Sequence, residues 1–268
     1  MDGPWQVGHK TAREYGKLAN ETAKAMRAFD PSLELVVCGS SNTEMPTYPQ
    51  WEAEVLDECY EAADHISLHM YFTNYDHNTP EYLALGETLD RYIVTIGGVI
   101  DYIKAKKRSK KNVTISFDEW NVWYHTREQD KATMAEQDWP DAPPLLEDIY
   151  DFEDVLQVGG ILNTFIRRSD RVRIACIAQL VNVIAPIMTE RGGKAWKQTI
   201  YYPFYFASRY GRGKALRLAV DTPTYNAKAG DDVPYLDVSA VEAADGAITL
   251  FAVNRHQTEN LDLAASFE

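Results

Sequence analysis

The first 213 residues alternate between short apolar segments and segments with helical periodicity. The apolar segments are LELVVCG from Leu33, HISLHMYF from His65, NVTISFDEW from Asn112 and RVRIACIAQLV from Arg171. Each is apolar on both faces, which is typical of strands in a parallel sheet that helices cover. Four such strand–helix units are half of an eightfold barrel, and a complete small doubly wound sheet is the alternative that this pattern leaves open. The sequence therefore predicts an α/β fold.

Helical periodicity fills the intervals between these strands. The segment KTAREYGKLANETAKAMRAF places Ala12, Tyr15 and Ala19 on one stripe, and Asp30-Pro31 is expected to end the helix. Further helices are predicted at about 51–63, 81–107 and 146–168, and in KQTIYYPFYFASRYG from Lys197. The segment 126–144, TREQDKATMAEQDWPDAPP, is predicted to be a loop because it contains prolines.

After Gly213 the pattern changes to alternation of apolar and polar residues. The segments ALRLAVDTPTY, VPYLDVSAVEAADGAITLFAVNR and LDLAASF show this alternation, with a turn near Asp245-Gly246. Such alternation predicts antiparallel strands. We therefore predict two modules, an α/β module over residues 1–213 and a module of antiparallel strands over residues 214–268.

The net charge and the cysteines limit the class of protein. A formal charge of −13 argues against nucleic acid as a partner and fits poorly with an anionic membrane. No run approaches the roughly 20 apolar residues of a membrane span. The three cysteines, Cys38, Cys59 and Cys176, are far apart and lie in apolar segments, so we expect reduced core residues and a cytoplasmic protein.

Polar and aromatic residues follow the predicted strands at their carboxyl ends, where working residues of parallel α/β folds lie. These residues are His69, Tyr71, Asp118, Glu119, Asn121, Trp123 and Gln179. Removing an ionised carboxylate from water costs free energy, so such a group is expected to be paired with an opposite charge, hydrogen-bonded or part of a functional site. Hydroxyl groups need polar partners and sugar rings need flat apolar ones, so this combination of side chains suits a sugar.

Each of these residues also has a purely structural interpretation. An Asp-Glu pair at the end of a strand is more often a helix cap or a surface pair. His69 alone would more often be a hydrogen-bonded core histidine, and Gln179 a buried amide that holds a loop. Their coincidence at the same end of successive strands is what favours a functional site.

Other chemistries find less support in the sequence. His65 and His69 are four residues apart on a strand, which separates them by roughly 13 Å, too far for one metal ion. The cysteines lack ligand spacing, and Gly192-Gly193-Lys194 lacks the rest of a phosphate loop. No Gly-x-Ser-x-Gly elbow occurs. We therefore predict no metal and no cofactor.

Six blocks of this sequence resemble the α-L-arabinofuranosidases of glycoside hydrolase family 51. The blocks are MDGPWQVGHKTAREYG, ELVVCGSSN, ISLHMY, SFDEWNVWYH, APPLLEDIY and ACIAQLVNVIAPIMTE, and the resemblance extends over essentially the whole chain. It implies a retaining glycosidase with a (β/α)8 barrel and a jelly-roll β-sandwich. Residues 1–213 would then be the part of the (β/α)8 barrel that holds strands five to eight, and residues 214–268 would be the start of the β-sandwich.

The resemblance also implies roles for individual residues. Glu119 matches the catalytic nucleophile, and His69, Tyr71, Trp123 and Gln179 match positions around the arabinofuranose and the nucleophile. In the family, the acid/base glutamate stands in a Gly-Asn-Glu motif directly before Met-Asp-Gly-Pro-Trp-Gln. We therefore expect this glutamate to precede Met1, the chain to be the C-terminal part of a longer enzyme, and the isolated chain to be inactive.

The implied substrate is an arabinose-containing oligosaccharide or polysaccharide, and the family commonly forms homo-oligomers. Two alternatives remain at this stage. One is another retaining barrel glycosidase, such as a xylosidase or an endoglucanase, which the placement of carboxylates does not exclude. The other is a non-catalytic module that binds sugar at the same strand ends.

Overall fold

The computed structural model describes residues 2–136, 141 and 143–266. The helices are α1 (Ala12–Phe29), α2 (Gln50–Cys59), α3 (Thr79–Leu83), α4 (Leu85–Lys107), α5 (Arg127–Glu136), α6 (Phe152–Arg167) and α7 (Tyr201–Tyr210). The strands are β1 (Val36–Cys38), β2 (His65–Phe72), β3 (Thr114–Val122), β4 (Val172–Ile177), β5 (Ile187–Thr189), β6 (Ala195–Lys197), β7 (Lys214–Leu216), β8 (Thr224–Ala227), β9 (Gly230–Pro234), β10 (Leu236–Glu242) and β11 (Ile248–Asn254).

The four apolar segments of the first 213 residues form one sheet. Its strand order is β1-β2-β3-β4, β1 runs parallel to β2, and β3 runs parallel to β4. Ile66, Leu68, Ile115 and Phe117 from the two central strands are fully buried. The predicted α/β class with a parallel sheet is confirmed.

The residues at its two ends explain where α1 begins and ends, and a second predicted helix is divided in two. Thr11 accepts a hydrogen bond from the Glu14 amide, the Glu14 carboxylate accepts one from the Thr11 amide, and this capping box starts α1. The same helix ends at Phe29, directly before Asp30, as predicted. The predicted helix at 81–107 is present but divided, since α3 and α4 are separated at Ala84.

Two predictions between residues 126 and 168 are wrong. The segment 126–144 was expected to be a loop, but it contains α5. This helix has no buried residue, so the sequence shows no apolar stripe from which a helix could be predicted. Its residues 137–140 and 142 lie outside the described residues. The helix predicted from residue 146 begins only at Phe152, because the Asp151 carboxylate accepts hydrogen bonds from the amides of Glu153 and Asp154.

The second half of the chain contains the predicted antiparallel strands. β10 pairs with β11 on one side and β7 on the other, and the turn between β10 and β11 includes Gly246 at φ 83°. That left-handed conformation favours glycine. β8 pairs with β9, and β5 pairs with β6 in a hairpin that the sequence did not predict. Residues 261–266, the described part of LDLAASF, contain no strand.

The described residues divide into two compact units. Unit 1 comprises those within Met1–Met70, Asp90–Trp120 and Arg168–Ile177. Unit 2 comprises those within Tyr71–Leu89, Asn121–Arg167 and Ala178–Glu268. The domain boundary predicted at residue 213 stays a prediction.

A buried ionic cluster joins several elements of unit 2. The side chains of Arg255 and Asp237 are each 1% exposed, and the Arg255 guanidinium donates to Asp237 Oδ2 at 2.7 Å and to Glu87 Oε1 at 3.1 Å. Arg167 donates to the other oxygen of Asp237. The Asp237 carboxylate therefore lies between two guanidinium groups, which compensate the cost of removing it from water.

We expect Asp237→Ala to lower the free energy of unfolding by about 3–5 kcal/mol, because it removes the buried carboxylate between Arg255 and Arg167 and leaves the buried charge of Arg255 only partly compensated by Glu87. Urea unfolding followed by circular dichroism measures this change. The matched control is Asp221→Ala, which removes an exposed aspartate of the same unit and should change stability by less than about 0.5 kcal/mol. A loss below about 1 kcal/mol for Asp237→Ala would show that the cluster contributes no more than a surface ion pair.

Candidate active site

Unit 1 brings together the histidine in the second half of β2 and the two adjacent carboxylates of β3. His69 Nε2 lies 3.0 Å from Asp118 Oδ1, and His69 Nδ1 lies 3.1 Å from Glu119 Oε2. The imidazole thus contacts one carboxylate with each of its nitrogens. The sequence predicted that these side chains converge, and the structure places them within hydrogen-bond distance.

An irregularity in β3 explains how neighbouring residues reach the same imidazole. Side chains of successive residues normally point to opposite faces of a strand. The pairing of β3 with β4 shifts register between Phe117 and Trp120, the interval that contains Asp118 and Glu119. Such bulges change the direction of a side chain, so both carboxylates can face His69.

Asp118 is held by two serines in addition to the histidine. Ser67 Oγ donates to its Oδ1 at 2.7 Å, and Ser116 Oγ donates to its Oδ2 at 3.0 Å. Burial acts to raise the pKa of Asp118, but the hydrogen bonds from His69, Ser67 and Ser116 outweigh it, so the pKa lies below its usual value. Asp118 is therefore an ionised, hydrogen-bonded group that fixes the orientation of His69.

Glu119 has different surroundings from its neighbour. Its side chain is 42% exposed, against 30% for Asp118. The carboxylate of Glu119 is consequently the more exposed of the pair. The Asp118 carboxylate is hydrogen-bonded by two serines and His69, whereas the Glu119 carboxylate is oriented by His69 and is the more exposed of the two.

Unit 2 contains an aromatic pair that follows the same two strands. Tyr71 and Trp123 meet edge to face, with ring centroids 5.2 Å apart. The Trp123 amide donates to the Phe72 carbonyl at 3.1 Å, and the Arg127 guanidinium lies 4.2 Å from the centroid of the Trp123 ring. The Trp123 indole Nε1 is buried and has no hydrogen-bond partner among the described residues. These rings provide an apolar surface, and the indole adds a donor.

Gln179 and Asn121 occupy different environments. Gln179 is exposed on the segment that follows β4, and its side chain makes no hydrogen bond within the described ranges. Asn121, predicted among the polar residues near the strand ends, is the penultimate residue of β3, where it is fully buried and bonds to the backbone.

Sequence reasoning missed Ser67 and Ser116, although a signal for them exists. Ser67 stands two residues before His69, whose Nε2 lies 3.1 Å from its Oγ, and Ser116 stands two residues before Asp118, to which it donates. Positions two apart share a face of a strand, so the period of a β-strand could have identified both. The roles predicted for Glu119, His69, Tyr71, Trp123 and Gln179 stay predictions.

Metal-binding groups and membrane spans receive no support from the described part of the chain. There, no group of three or more His, Cys, Asp or Glu residues could hold a metal ion. No helix among these residues has the length and apolar character needed to cross a membrane. The three cysteines are free, and Cys59 is buried as expected; Cys176 is exposed, so its assignment to the core is wrong.

Comparison with known proteins identifies relatives over nearly the whole chain. Residues 118–268 match the family model described as α-L-arabinofuranosidase C-terminal domain. An intracellular exo-α-(1→5)-L-arabinofuranosidase of Halalkalibacterium halodurans is 56% identical over 264 residues, which cover 98% of this chain and 52% of the relative. A second relative, the intracellular exo-α-(1→5)-L-arabinofuranosidase 1 of Bacillus subtilis, is 55% identical over 260 residues, which cover 97% of this chain and 51% of the relative. The chain spans about half the length of these curated relatives.

Solved structures give the same assignment. A family 51 α-L-arabinofuranosidase from Bifidobacterium longum has a TM-score of 0.88 and 40% identity, and the match covers 95% of this chain and 52% of that chain. An α-L-arabinofuranosidase from Thermotoga maritima, determined as an arabinose complex, has a TM-score of 0.76 and 30% identity over 94% of this chain and 49% of that chain. The chain therefore belongs to the family 51 α-L-arabinofuranosidases.

Proposed function

We propose that this chain carries the nucleophile, Glu119, of a retaining exo-α-L-arabinofuranosidase. The observation that carries the proposal is the contact of His69 with both Asp118 and Glu119, because it leaves one carboxylate fixed and the other oriented and accessible. Two carboxylates in different environments can take different roles in one site. Here Asp118 holds the histidine and Glu119 attacks the sugar.

In the proposed reaction, Glu119 attacks the anomeric carbon of a terminal α-L-arabinofuranosyl residue and forms a covalent glycosyl-enzyme, which water then hydrolyses. A second carboxyl group, roughly 5–5.5 Å from the first, protonates the leaving oxygen and later activates the water. Asp118 is unsuited to that role because its pKa is lowered and its oxygens accept three hydrogen bonds. We assign it instead to the glutamate of the expected Gly-Asn-Glu motif.

We further propose that Tyr71, Trp123 and Gln179 bind the sugar. Tyr71 and Trp123 offer ring faces and edges, and Gln179 offers an exposed amide. Aromatic surfaces combined with a few polar groups are the usual composition of a carbohydrate site. The names of the bacterial relatives support (1→5)-linked arabino-oligosaccharides or arabinan as substrate and a cytoplasmic location.

A (β/α)8 barrel and a homo-oligomeric state are part of the same proposal. The parallel sheet has four strands, which is half of what a closed eight-stranded barrel needs. The relatives are about twice as long as this chain, which is consistent with further strand–helix units elsewhere in the protein. Activity is therefore tested in an enzyme of the relatives' full length that contains this chain.

We expect Glu119→Ala in that enzyme to lower kcat for an aryl α-L-arabinofuranoside by on the order of 10⁴-fold or more, as when other covalent catalysts lose part of their nucleophilic machinery. Azide should restore turnover, because it can occupy the place of the missing carboxylate, and the arabinosyl azide should have inverted configuration. Release of the aryl group and NMR of the product measure these outcomes.

The matched control for this experiment is Glu21→Ala, which removes an exposed glutamate of unit 1 and should leave kcat unchanged. Wild-type-like hydrolysis by Glu119→Ala would exclude Glu119 as the nucleophile. A panel of aryl arabinofuranosides, xylosides and glucosides tested on the wild type decides the substrate class. Preference for a xyloside or a glucoside would contradict the proposed specificity.

We expect His69→Ala to lower kcat/KM by about 10–100-fold, because hydrogen bonds to charged groups contribute roughly 1.5–3 kcal/mol and Glu119 would lose the partner that orients it. Steady-state kinetics on the aryl α-L-arabinofuranoside measure this change. His9→Ala replaces an exposed histidine of the same unit and should have no effect. An unchanged kcat/KM in a folded His69→Ala enzyme would mean that the imidazole does not support the nucleophile.

A further inference from the structure

The segment that carries Gln179 has an unusual backbone. Residues 178–186 connect β4 to β5, and within them Asn182 has φ 67° and Ile184 has φ 39°. A positive φ is a genuine outlier for a β-branched residue such as isoleucine. Conformations of this kind persist only where the surrounding structure holds them. Interactions that hold Ile184 therefore determine the shape of the whole segment.

The buried side chain of Asn121 bonds to both ends of this segment. Its Nδ2 donates to the Ala178 carbonyl at 2.9 Å and also to the Ile184 carbonyl, and its Oδ1 accepts from the Val122 amide at 2.8 Å. Asn121 is 0% exposed, and both hydrogens of its amide group are used. It therefore has no donor left for a substrate, which separates its role from that of a sugar-binding residue.

Other bonds hold the part of the segment that lies nearer β5. The Ile184 amide donates to the Leu146 carbonyl at 2.6 Å, Asn182 Oδ1 accepts from the Thr189 amide at 2.7 Å, and Gln198 Nε2 donates to the Ala185 carbonyl at 2.8 Å. The bond from Asn121 to Ala178 lies at the opposite end, directly before Gln179. Asn121 is thus placed to control the end of the segment that carries the amide.

We propose that Asn121 is a positioning residue, which sets the place of Gln179 by bonding to the carbonyls of Ala178 and Ile184. The proposal rests on the proposed function, because it concerns how the site presents Gln179 to the arabinofuranosyl residue. The side chain of Gln179 makes no hydrogen bond within the described ranges, so its position follows from its backbone. Loss of the Asn121 bonds would release Ile184 from its strained conformation and displace Gln179.

The experiment uses Asn121→Ala and Asn121→Asp in the enzyme of full length. The aspartate has nearly the same shape but replaces the donating nitrogen with an oxygen that faces two carbonyl oxygens. Asn163 provides the matched control, since it is a buried asparagine of the same unit whose Nδ2 donates to the Asp237 carbonyl and whose Oδ1 accepts from Ser239 Oγ. Two substitutions at each position keep the test usable if one variant fails to fold.

We expect kcat/KM for the aryl α-L-arabinofuranoside to fall about tenfold in the Asn121 variants, the size of a lost buried hydrogen bond. The separate changes in kcat and in KM should match those measured for Gln179→Ala. The folded Asn163 variants should change kcat/KM by less than about threefold, because residues distant from the site do not couple to it. A loss as large in the Asn163 variants would overturn the proposal, since it would reflect general destabilisation.

A double-mutant cycle completes the test. If Asn121 acts through Gln179, then Gln179→Ala should cost about tenfold in the wild type but less than about twofold in the Asn121→Ala background. Penalties that multiply would overturn the positioning role and leave the proposed function intact. Absence of arabinofuranosidase activity from the wild type would overturn the proposed function itself, and this inference with it.

Hydrogen exchange tests, without an activity measurement, whether the Asn121 bonds hold the backbone of this segment in place. Amides of residues 180–185 should exchange faster in Asn121→Ala than in Asn163→Ala, because only the former loses bonds to this segment. Equal exchange in the two variants would show that Asn121 does not hold the segment, whatever the kinetics.

Discussion

The contact of one imidazole with two carboxylates is the interaction on which the candidate site depends. Asp118 and Glu119 are adjacent in sequence, and two like charges this close oppose each other unless something compensates them. His69 lies between them, with Nε2 on Asp118 and Nδ1 on Glu119. The ring contacts both carboxylates at once, so the same group that lies between the two acids also fixes their geometry.

The backbone of β3 makes this arrangement possible. In a regular strand Asp118 and Glu119 would point to opposite faces, and only one could reach His69. The shift in register between Phe117 and Trp120 removes that restriction. Ser67 and Ser116 then complete the hydrogen bonding of Asp118, which leaves Glu119 as the more exposed carboxylate. The different roles we assign to the two acids therefore follow from their surroundings, since their chemistry is nearly the same.

The sequence predicts some features of this structure and misses others for identifiable reasons. The four strands of the first sheet are predictable because each is a short segment rich in apolar residues between segments of helical periodicity, and Asp30-Pro31 marks the end of α1. α5 is missed because it buries nothing, so no apolar period records it. His69, Asp118 and Glu119 are predictable as a group because parallel strands bring their carboxyl ends to one edge. The burial of Asn121 is not predictable in this way, since it depends on the path of residues 178–186, which no local pattern describes.

Asn121 and Glu119 show that one strand can carry both the proposed nucleophile and a buried side chain that holds the nearby backbone in place. The two residues are separated by one position in β3, yet one is fully buried and the other is accessible. The buried amide satisfies backbone carbonyls that would otherwise lack a partner, and such groups are costly to leave unpaired. A polar residue beside the proposed nucleophile is easily taken for a substrate contact. Two observations distinguish a substrate contact from a residue that supports the backbone: how deeply the side chain is buried, and how many of its donors are already used. For Asn121 both observations favour support of the backbone.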